Sequence, residues 1–352
     1  MALLRQTSPH THTALGTPAV MQLVLLALIP GICTQLYFFG WGVLSNIVLA
    51  GIFAVALEAA FIGLRRRPVG FYLSDFSALV TAVLLAVAMP PASPWWLILV
   101  GILFAIGVAK HLYGGLGYNP FNPAMVGYVV LLISFPIEMT RWLTPQALLP
   151  AGIETSSLAD TLRLVAGVAP VQNLDALTMA TPLDVLRQNK SLMMDDLWAA
   201  NVQFGRFAGV GWEWVNVAYL CGGLFLLWRR IYTWHAPISM LATLALMSLV
   251  FYDGGSSASR GSPMFHLFSG ATMLGAFFIV TDPVTSAVSN RGRLIYGAAI
   301  GVLLFTIRSW GNYPDAMAFA VLLMNFSAPF IDHYTQPRTF GHQARDQKRE
   351  GR

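Results

Sequence analysis

The sequence carries little charge for its length. Only 11% of the 352 residues are Asp, Glu, Lys or Arg and 56% are hydrophobic, whereas a water-soluble domain is about a quarter charged and about half apolar. This balance excludes a disordered chain and a coiled coil, and it is typical of a membrane protein. The 21 basic and 16 acidic residues leave a net charge of +5 that is not clustered on one face, which excludes a nucleic-acid binder.

Cysteine is also scarce. Cys33 and Cys221 lie inside apolar runs and are too few for a metal cage or a disulfide framework. The sequence also lacks a glycine-rich phosphate loop, a nucleophile elbow and the HExxH pattern of zinc proteases. The candidate site residues must therefore come from the membrane segments and their loops.

Long apolar runs, in contrast, are abundant. A helix that crosses about 30 Å of hydrocarbon needs about 20 apolar residues, and on this basis the sequence predicts ten spans. The predicted spans are 20–39, 43–63, 74–90, 94–110, 123–137, 211–228, 235–252, 264–281, 293–309 and 315–333. The fifth span is short and follows a stretch rich in glycine and proline, which indicates a broken helix whose free backbone groups face protein or water.

Outside the segment 138–210, basic residues lie almost entirely in alternate loops. With a cytoplasmic N-terminus, the short external loops keep only Arg260 and Arg308, and the other arginines and lysines outside that segment fall on the inner side. Because basic residues are retained on the cytoplasmic side during insertion, both termini are predicted to be cytoplasmic.

A polar segment of about 70 residues, 138–210, interrupts the series of spans. We expect it to form a small external domain, periplasmic where the host has two membranes. It separates a first membrane unit, 1–137, from a second unit, 211–334, and a basic cytoplasmic tail follows at 335–352.

The two membrane units share a weak internal repeat. Ser77 and Ser269 are each followed fourteen residues later by a proline, Pro91 and Pro283, and 117–120 resembles 311–314. Since five spans is an odd number, the second unit enters the membrane from the opposite face, and sites in such inverted repeats form where broken helices meet. The expected fold is an all-α polytopic membrane protein with two inverted five-helix repeats and an external insertion. The alternative is that small residues are simply common in membrane helices.

The most unusual interior stretch is 114–123, which includes Gly114, Gly115, Asn119 and Asn122. Its glycines permit backbone conformations closed to other residues, its prolines remove amide donors, and its asparagines can bond to exposed backbone groups. The pattern favours a re-entrant loop that lines a cavity or binds a cofactor. A tight cytoplasmic turn is the alternative.

Two carboxylates lie within or at the ends of predicted spans. Glu58 is in the second span, and Asp282 ends the eighth span before Pro283. Intramembrane carboxylates usually face a cavity or a partner, so both are candidates for a cation path, although an interfacial aspartate is also an ordinary helix cap. Asp315, at the outer start of the tenth span, is interpreted first as a cap.

In the external segment, Thr181 precedes Pro182 and is therefore predicted to be extended, with an accessible hydroxyl. Asp184 can cap a short helix that continues through Arg187. These residues by themselves do not indicate a modification.

Taken together, these stretches resemble the D subunits of the Rnf (Rsx) electron-transport complexes, which are related to the B subunit of the sodium-translocating NADH:quinone reductase. The resemblance covers nearly the whole chain. It is carried by the strings 8–12, 110–125, 269–284 and 290–293.

The resemblance implies a covalent flavin. In that family an external threonine carries FMN through a phosphoester bond, attached by a flavin transferase, and the matching motif residues here are Asp175, Thr178, Ala180 and Thr181. Thr181 is the implied attachment residue. Met179 departs from the motif, because glycine is usual at its position.

The related reductase subunit also holds a non-covalent riboflavin near the cytoplasmic side of the membrane. The resemblance implies such a site here. The residues to search first are Gly114, Gly115, Asn119, Asn122 and the Asp282 loop.

The function implied is that of an electron-carrier subunit in a bacterial inner-membrane complex. With the A, B, C, E and G subunits, such a chain couples ferredoxin and NAD chemistry to sodium or proton movement. Because this chain has no nucleotide-binding glycine motif and no cysteine cluster, other subunits must oxidise NADH and hold iron–sulfur centres. Two alternatives stay open: a flavin-independent channel or carrier of the inverted five-span type, and a quinone-reductase subunit.

Overall fold

The computed structural model describes residues 15–149, 157–168, 178–189, 191–311, 313 and 315–336. Asp175, the string 8–12 and nearly all of the tail 335–352 lie outside the described residues. The described part of the chain is mostly helical and includes several apolar helices, as in a polytopic membrane protein.

The first half consists of helices separated by short breaks. They are α1 (Thr17–Phe39), α2 (Gly42–Leu64), α3 (Val69–Leu73), α4 (Ser77–Ala88), α5 (Trp95–Ile102), α6 (Pro123–Ser134) and α7 (Pro136–Thr140). Helix α5 runs directly into a π-helix, Leu103–His111. Such wide turns are frequent at functional sites, since they change the direction in which side chains project.

The segment 138–210 contains short helices and strands of its own. They are β1 (Trp142–Leu143), a 3₁₀ turn (Gln146–Leu148), α8 (Leu158–Ala166), β2 (Thr178–Met179), α9 (Pro182–Gln188) and α10 (Met194–Ala200). Strands β1 and β2 pair antiparallel, with Trp142 opposite Met179 and Leu143 opposite Thr178. This short ladder departs from the expectation of an all-α chain, because a two-residue pairing has no periodicity that a sequence could display.

The second half also combines long helices with short and broken ones. Its elements are α11 (Trp212–Trp228), α12 (His235–Val250), a 3₁₀ turn (Asp253–Gly255), α13 (Pro263–Phe268), α14 (Thr272–Leu274), a π-helix (Gly275–Ile279), α15 (Asn290–Trp310) and α16 (Met317–Thr335).

Three helices in the described part of the chain are long and apolar enough to cross a membrane: α1, α2 and α15. Shorter apolar helices are Ser77–Ala88, Trp95–His111, Pro123–Ser134 and His235–Val250. Large apolar side chains such as Leu26, Ile52, Leu246, Phe326 and Phe330 are exposed along these and neighbouring helices. An apolar exterior of this kind fits contact with lipid tails.

Glycines bring helices close together both between the two halves and within the second half. A Cβ at Gly222 of α11 would collide with the Ala27 carbonyl of α1, and a Cβ at Gly301 of α15 would collide with the Met240 carbonyl of α12. Close backbone approach at small residues is the usual way in which membrane helices associate. Close contact at a glycine therefore joins α1 to α11 across the halves and α12 to α15 within the second half.

Two expectations about broken helices need correction. In the predicted fifth span, 123–137, helix α6 is unbroken from Pro123 to Ser134 and the span is interrupted only near its end, at Phe135, beyond which α7 begins. The predicted eighth span, 264–281, is instead the broken one: α13 ends at Phe268, Ser269 is extended, and Gly270 takes a left-handed φ of 57°. Because Ser-Gly-Ala is compatible with an apolar span, hydropathy alone did not reveal the break.

Candidate functional site

Thr181 lies between strand β2 and helix α9, and both elements fix its position. It is the N-terminal cap of α9, with the extended backbone that a following proline favours. Its hydroxyl donates a hydrogen bond to Asp184 Oδ2 at 2.7 Å and accepts one from the Asp184 backbone N–H at 3.3 Å. Thr181 is half-buried, whereas Ala180 before it is exposed. The predicted accessible hydroxyl is thus a capping group.

Thr181 stands at the rim of a cavity between the two halves of the molecule, here called the outer cavity. Its walls are mainly aromatic and aliphatic. They include Tyr128, Trp142, Trp212, Val215, Tyr219, Leu274 and Met317, with Gln35, Ser269 and Asp315 as polar members. The enclosed space is only about 60 Å³, so in this conformation a flat ligand joined to Thr181 would lie largely over the rim.

A buried polar cluster lies beneath the outer cavity. Arg308, 4% exposed, approaches Asp315 Oδ1 to 3.1 Å and donates to Thr272 Oγ1 at 3.0 Å. Asp315 also accepts the Ala271 backbone N–H at 2.8 Å, so it is more than the helix cap that was expected. Ser269 is 1% exposed, and its hydroxyl has no hydrogen-bond partner in the part of the chain described. The cavity therefore has one unsatisfied polar group.

A second, larger space opens between the halves on the side of the 112–122 loop, here called the inner cavity. It holds about 680 Å³, which is within the usual range for small-molecule pockets, about 300–1,000 Å³. Its polar lining includes Ser77, Thr81, Lys110, Asn119, Asn122, Arg230, Thr281, Asp282 and Arg293. Three of the residues singled out from the sequence, Asn119, Asn122 and Asp282, thus meet at one cavity.

Hydrogen bonds across the two halves hold this side of the cavity. Asn122 donates from Nδ2 to Asp282 Oδ2 at 3.2 Å and from its backbone N–H to Asn325 Oδ1 at 3.0 Å. Asn119 Oδ1 is buried and has no partner among the described residues. Gly114 and Gly115, with φ of 130° and 110°, shape the same loop but are not among the described residues that line the cavity.

Glu58 is held by basic groups from the end of the neighbouring π-helix. Its Oε1 lies 2.7 Å from Lys110 Nζ, and its Oε2 lies 3.0 Å from His111 Nε2. Lys110 also donates to Ser77 Oγ at 2.8 Å, and the Arg65 guanidinium bonds the His111 carbonyl. Lys110 and Glu58 are each 2% exposed. Such a buried pair is stable only because both charges have partners.

A basic side chain contacts each of the two serines of the proposed sequence repeat. Lys110 contacts Ser77 beside the inner cavity, and Arg308 contacts the carbonyl of Ser269 at 3.4 Å beside the outer cavity. Ser77 and Ser269 are the two serines that correspond in the sequence repeat. From the sequence, Lys110 and Arg308 were used only as loop charges that indicate topology, and they were not predicted as buried partners of carboxylates. Because an intramembrane carboxylate usually needs a basic partner, Glu58 and Asp315 could have been used to search for them.

The π-helix 275–279 separates the two cavities. Leu274 and Ile279 line the outer cavity, whereas Phe277, Phe278 and Val280 line the inner cavity. The two spaces are therefore close to each other and divided by only a few apolar side chains.

The sequence matches the model of the NQR2, RnfD, RnfE family over residues 4–341. The chain belongs to this family. The family resemblance that the sequence motifs indicated is thereby confirmed.

Curated relatives of this NQR2, RnfD, RnfE family member align along nearly their full lengths. The chain is 59% identical to the D subunit of the ion-translocating oxidoreductase complex of Pseudomonas aeruginosa (strain LESB58) over 343 residues, which is 97% of each chain. The D subunit of the same complex from Cellvibrio japonicus is 58% identical over 346 residues, covering 97% of this chain and 96% of the relative. The D subunit from Aliivibrio salmonicida is 51% identical over 354 residues, covering 97% of this chain and 99% of the relative.

Proposed function

We propose that this chain is a membrane electron-carrier subunit of an ion-translocating oxidoreductase complex of the Rnf type. Its relatives are named as the D subunits of such a complex, and its fold has several apolar helices. In the proposed complex, the A, B, C, E and G subunits accompany this chain. Together they couple electron transfer between ferredoxin and NAD to sodium or proton transport.

The proposed electron carrier at the outer cavity is FMN, joined to Thr181 by a phosphoester bond. The observation that carries this proposal is the position of the Thr181 hydroxyl at the rim of a cavity with aromatic walls. Trp142 and Trp212 offer flat faces for a ring system, and the unpartnered Ser269 hydroxyl offers a hydrogen bond. Strand β2 places Thr178 and Thr181 on one short extended segment for recognition by a flavin transferase.

The proposed ligand of the inner cavity is a non-covalent riboflavin. The cavity has the required size, and its lining includes an unsatisfied acceptor, Asn119 Oδ1, and the donor Lys110. The polar edge of a flavin ring alternates donors and acceptors, so these residues fit it. When bound, flavins supply one-electron and two-electron chemistry, and the protein positions them and sets their potentials.

The proposed topology has ten spans as two inverted five-helix repeats in a bacterial inner membrane, with both termini cytoplasmic and Thr181 periplasmic. The corresponding serines Ser77 and Ser269 support the repeat, since each contacts a basic side chain: Lys110 donates to the Ser77 hydroxyl and Arg308 to the Ser269 carbonyl. In an inverted repeat, corresponding residues fall on opposite sides of the membrane. The two cavities fit this arrangement, since each lies beside one of the two contacts.

Glu58 and Asp282 are the proposed carboxylates of an ion path. Asp282 lines the inner cavity. Glu58 contacts Lys110, which lines the same cavity. Intramembrane carboxylates commonly mark such paths.

The test of the proposal is ultraviolet fluorescence of the chain on a denaturing gel after co-expression with a flavin transferase. We expect a fluorescent band for the native chain and for Thr140→Val, and a dark band for Thr181→Val. Thr140→Val is the matched control, since it removes an exposed threonine hydroxyl that lies outside the motif. A dark native band, with the transferase active on another substrate, would contradict the covalent flavin and favour a flavin-independent channel.

A further inference from the structure

We propose that Asp75, Ser77 and Lys110 form a proton-delivery path that ends at the inner cavity. The path rests on the proposed flavin in that cavity, and it gives Lys110 a role beyond its ion pair with Glu58. Its function is to supply a proton when the bound flavin takes up an electron.

The path is a continuous row of short hydrogen bonds. The Ser77 hydroxyl donates to Asp75 Oδ1 at 2.6 Å, and Lys110 Nζ donates to Ser77 Oγ at 2.8 Å. Asp75 lies in the turn before α4 and is only partly buried, whereas Ser77 and Lys110 are buried. A protonatable group near the surface is thus connected to the cavity wall by one hydroxyl, which can both donate and accept a proton.

Lys110 has an N–H group left for a ligand. An ammonium has three donors, and the described partners of Lys110 Nζ are two, Glu58 Oε1 and Ser77 Oγ. Lys110 is itself part of the lining of the inner cavity. The geometry therefore permits a third hydrogen bond from Nζ to a ring atom of a ligand.

The groups around Lys110 make the loss of its proton transient. A neutral amine would leave the Glu58 carboxylate buried without a cation, which is costly. This cost drives the return of a proton through Ser77. The other titratable or charged groups that face this region are His111 beside Glu58 and, on the cavity lining, Asp282, Arg230, Arg293 and Tyr232.

A different cation lies beside the outer cavity. Arg308 contacts the Ser269 carbonyl there, and a guanidinium keeps its proton under all physiological conditions, whereas a lysine ammonium can lose one. The fold therefore places a fixed charge beside the outer cavity and an exchangeable proton beside the inner cavity. This difference between the two cations assigns proton uptake to the inner cavity.

In the proposed step, one electron comes from a reduced one-electron carrier, for which the proposed flavin on Thr181 is the candidate. An N–H bond of Lys110 breaks, and a bond forms between that proton and a ring nitrogen of the flavin. Solvent protonates the Asp75 carboxylate, and the Ser77 hydroxyl turns from Asp75 towards the neutral Lys110 amine. Ser77 then gives its hydroxyl proton to the amine as it takes the proton of the Asp75 carboxyl group, which restores the lysine ammonium, the serine hydroxyl and the aspartate.

The test uses the complete purified complex and the variants Ser77→Ala, Ser77→Thr and Ser248→Ala. Ser77→Ala removes the connecting hydroxyl without altering Lys110 or Glu58, and Ser77→Thr retains it. Ser248, also buried and bonded to backbone carbonyls, is the matched control. The complex is mixed with reduced methyl viologen, a donor that releases no proton, and proton uptake is followed with an indicator dye in H₂O and D₂O.

We expect Ser77→Ala to slow the uptake phase by about 100-fold, the lower range for positioned proton transfer. We expect Ser77→Thr and Ser248→Ala to retain the native rate and the native solvent isotope effect. Riboflavin released from each preparation is measured separately by chromatography. If riboflavin is present and uptake in Ser77→Ala is unchanged, the path is wrong while the flavin site stands. If no riboflavin is found in the native complex, the flavin proposal fails and the path fails with it.

Discussion

Asn122 Nδ2 donates a hydrogen bond to Asp282 Oδ2 across 3.2 Å, although 160 residues separate the two along the chain. Asn122 caps helix α6 and Asp282 follows the second π-helix. The bond therefore joins the irregular loops of the two halves at the inner cavity, where both residues are part of the lining.

This junction predicts the effect of removing the Asp282 side chain. In Asp282→Ala, hydrogen bonds from Asn122, Thr285 and the Val284 backbone N–H lose their acceptor. Hydrogen bonds to charged groups contribute about 1.5–3 kcal/mol each, so we expect at least about tenfold weaker retention of non-covalent flavin in the purified complex. Asp332→Ala is the control, because Asp332 also accepts a backbone N–H, from Val288, but is not among the described lining residues. Equal flavin retention in both variants would contradict the assignment of the inner cavity.

The buried pair of Lys110 and Glu58 predicts a stability difference between single and double variants. Lys110→Met leaves the Glu58 carboxylate without its cation, which we expect to cost about 3–5 kcal/mol. The double variant Lys110→Met, Glu58→Leu removes both charges and is expected to recover most of this loss. Thermal unfolding of the purified chain in detergent measures both effects.

The control for that comparison is Arg163→Met. Arg163 and Asp160 form an exposed pair at 3.4 Å, with side chains 65% and 55% exposed, so its loss is expected to cost less than about 1 kcal/mol. If Lys110→Met were as stable as Arg163→Met, the buried pair would not contribute to the fold as described.

A comparison of two glycines with nearly the same backbone conformation distinguishes the effect of backbone strain from that of steric crowding at the outer cavity. Gly270 and Gly254 have φ of 57° and 59°, but only at Gly270 would a Cβ meet neighbours, at 2.7 Å from Asp315 Oδ2 and 3.0 Å from Arg308 Nη2. We expect Gly270→Ala to lower the melting temperature more than Gly254→Ala and to reduce the yield of covalent flavin. Similar losses in both variants would show that the packing around Arg308 and Asp315 is not important for the site.

The ion-path hypothesis makes its own prediction for Glu58→Gln and Asp282→Asn. Both amides keep the size of the native side chain but remove the negative charge that a cation would need. We expect each to reduce ion uptake per electron transferred in proteoliposomes that contain the complete complex. Native ion uptake together with native electron transfer in both variants would exclude these carboxylates from the path.

The sequence predicted well the features that repeat along the chain. Apolar runs located the membrane helices α1, α2 and α15 with ends within a few residues, because hydropathy is a property of whole segments. The loop with Asn119 and Asn122 was recognised from its glycines and prolines, since these residues limit the backbone locally. Asp282 was predictable as a candidate because a carboxylate near the membrane core usually faces a cavity or a partner.

The contacts between distant segments were not predictable in the same way. That Lys110 pairs with Glu58, or that Ser269 breaks a helix beside Arg308, depends on which faces of the helices meet. A single sequence does not specify those faces when the helices are apolar all round. The short β1–β2 pairing depends likewise on a contact between Trp142 and Met179, which lie far apart in the sequence.

The attachment of FMN to Thr181 is the central claim, and mass spectrometry of the native chain tests it most directly. Trypsin releases the peptide 164–187, which contains both Thr178 and Thr181. We expect a mass increase equal to FMN less one water, with fragment ions that locate it on Thr181. An unmodified peptide from a chain matured with an active flavin transferase, or a flavin located on Thr178, would contradict the claim.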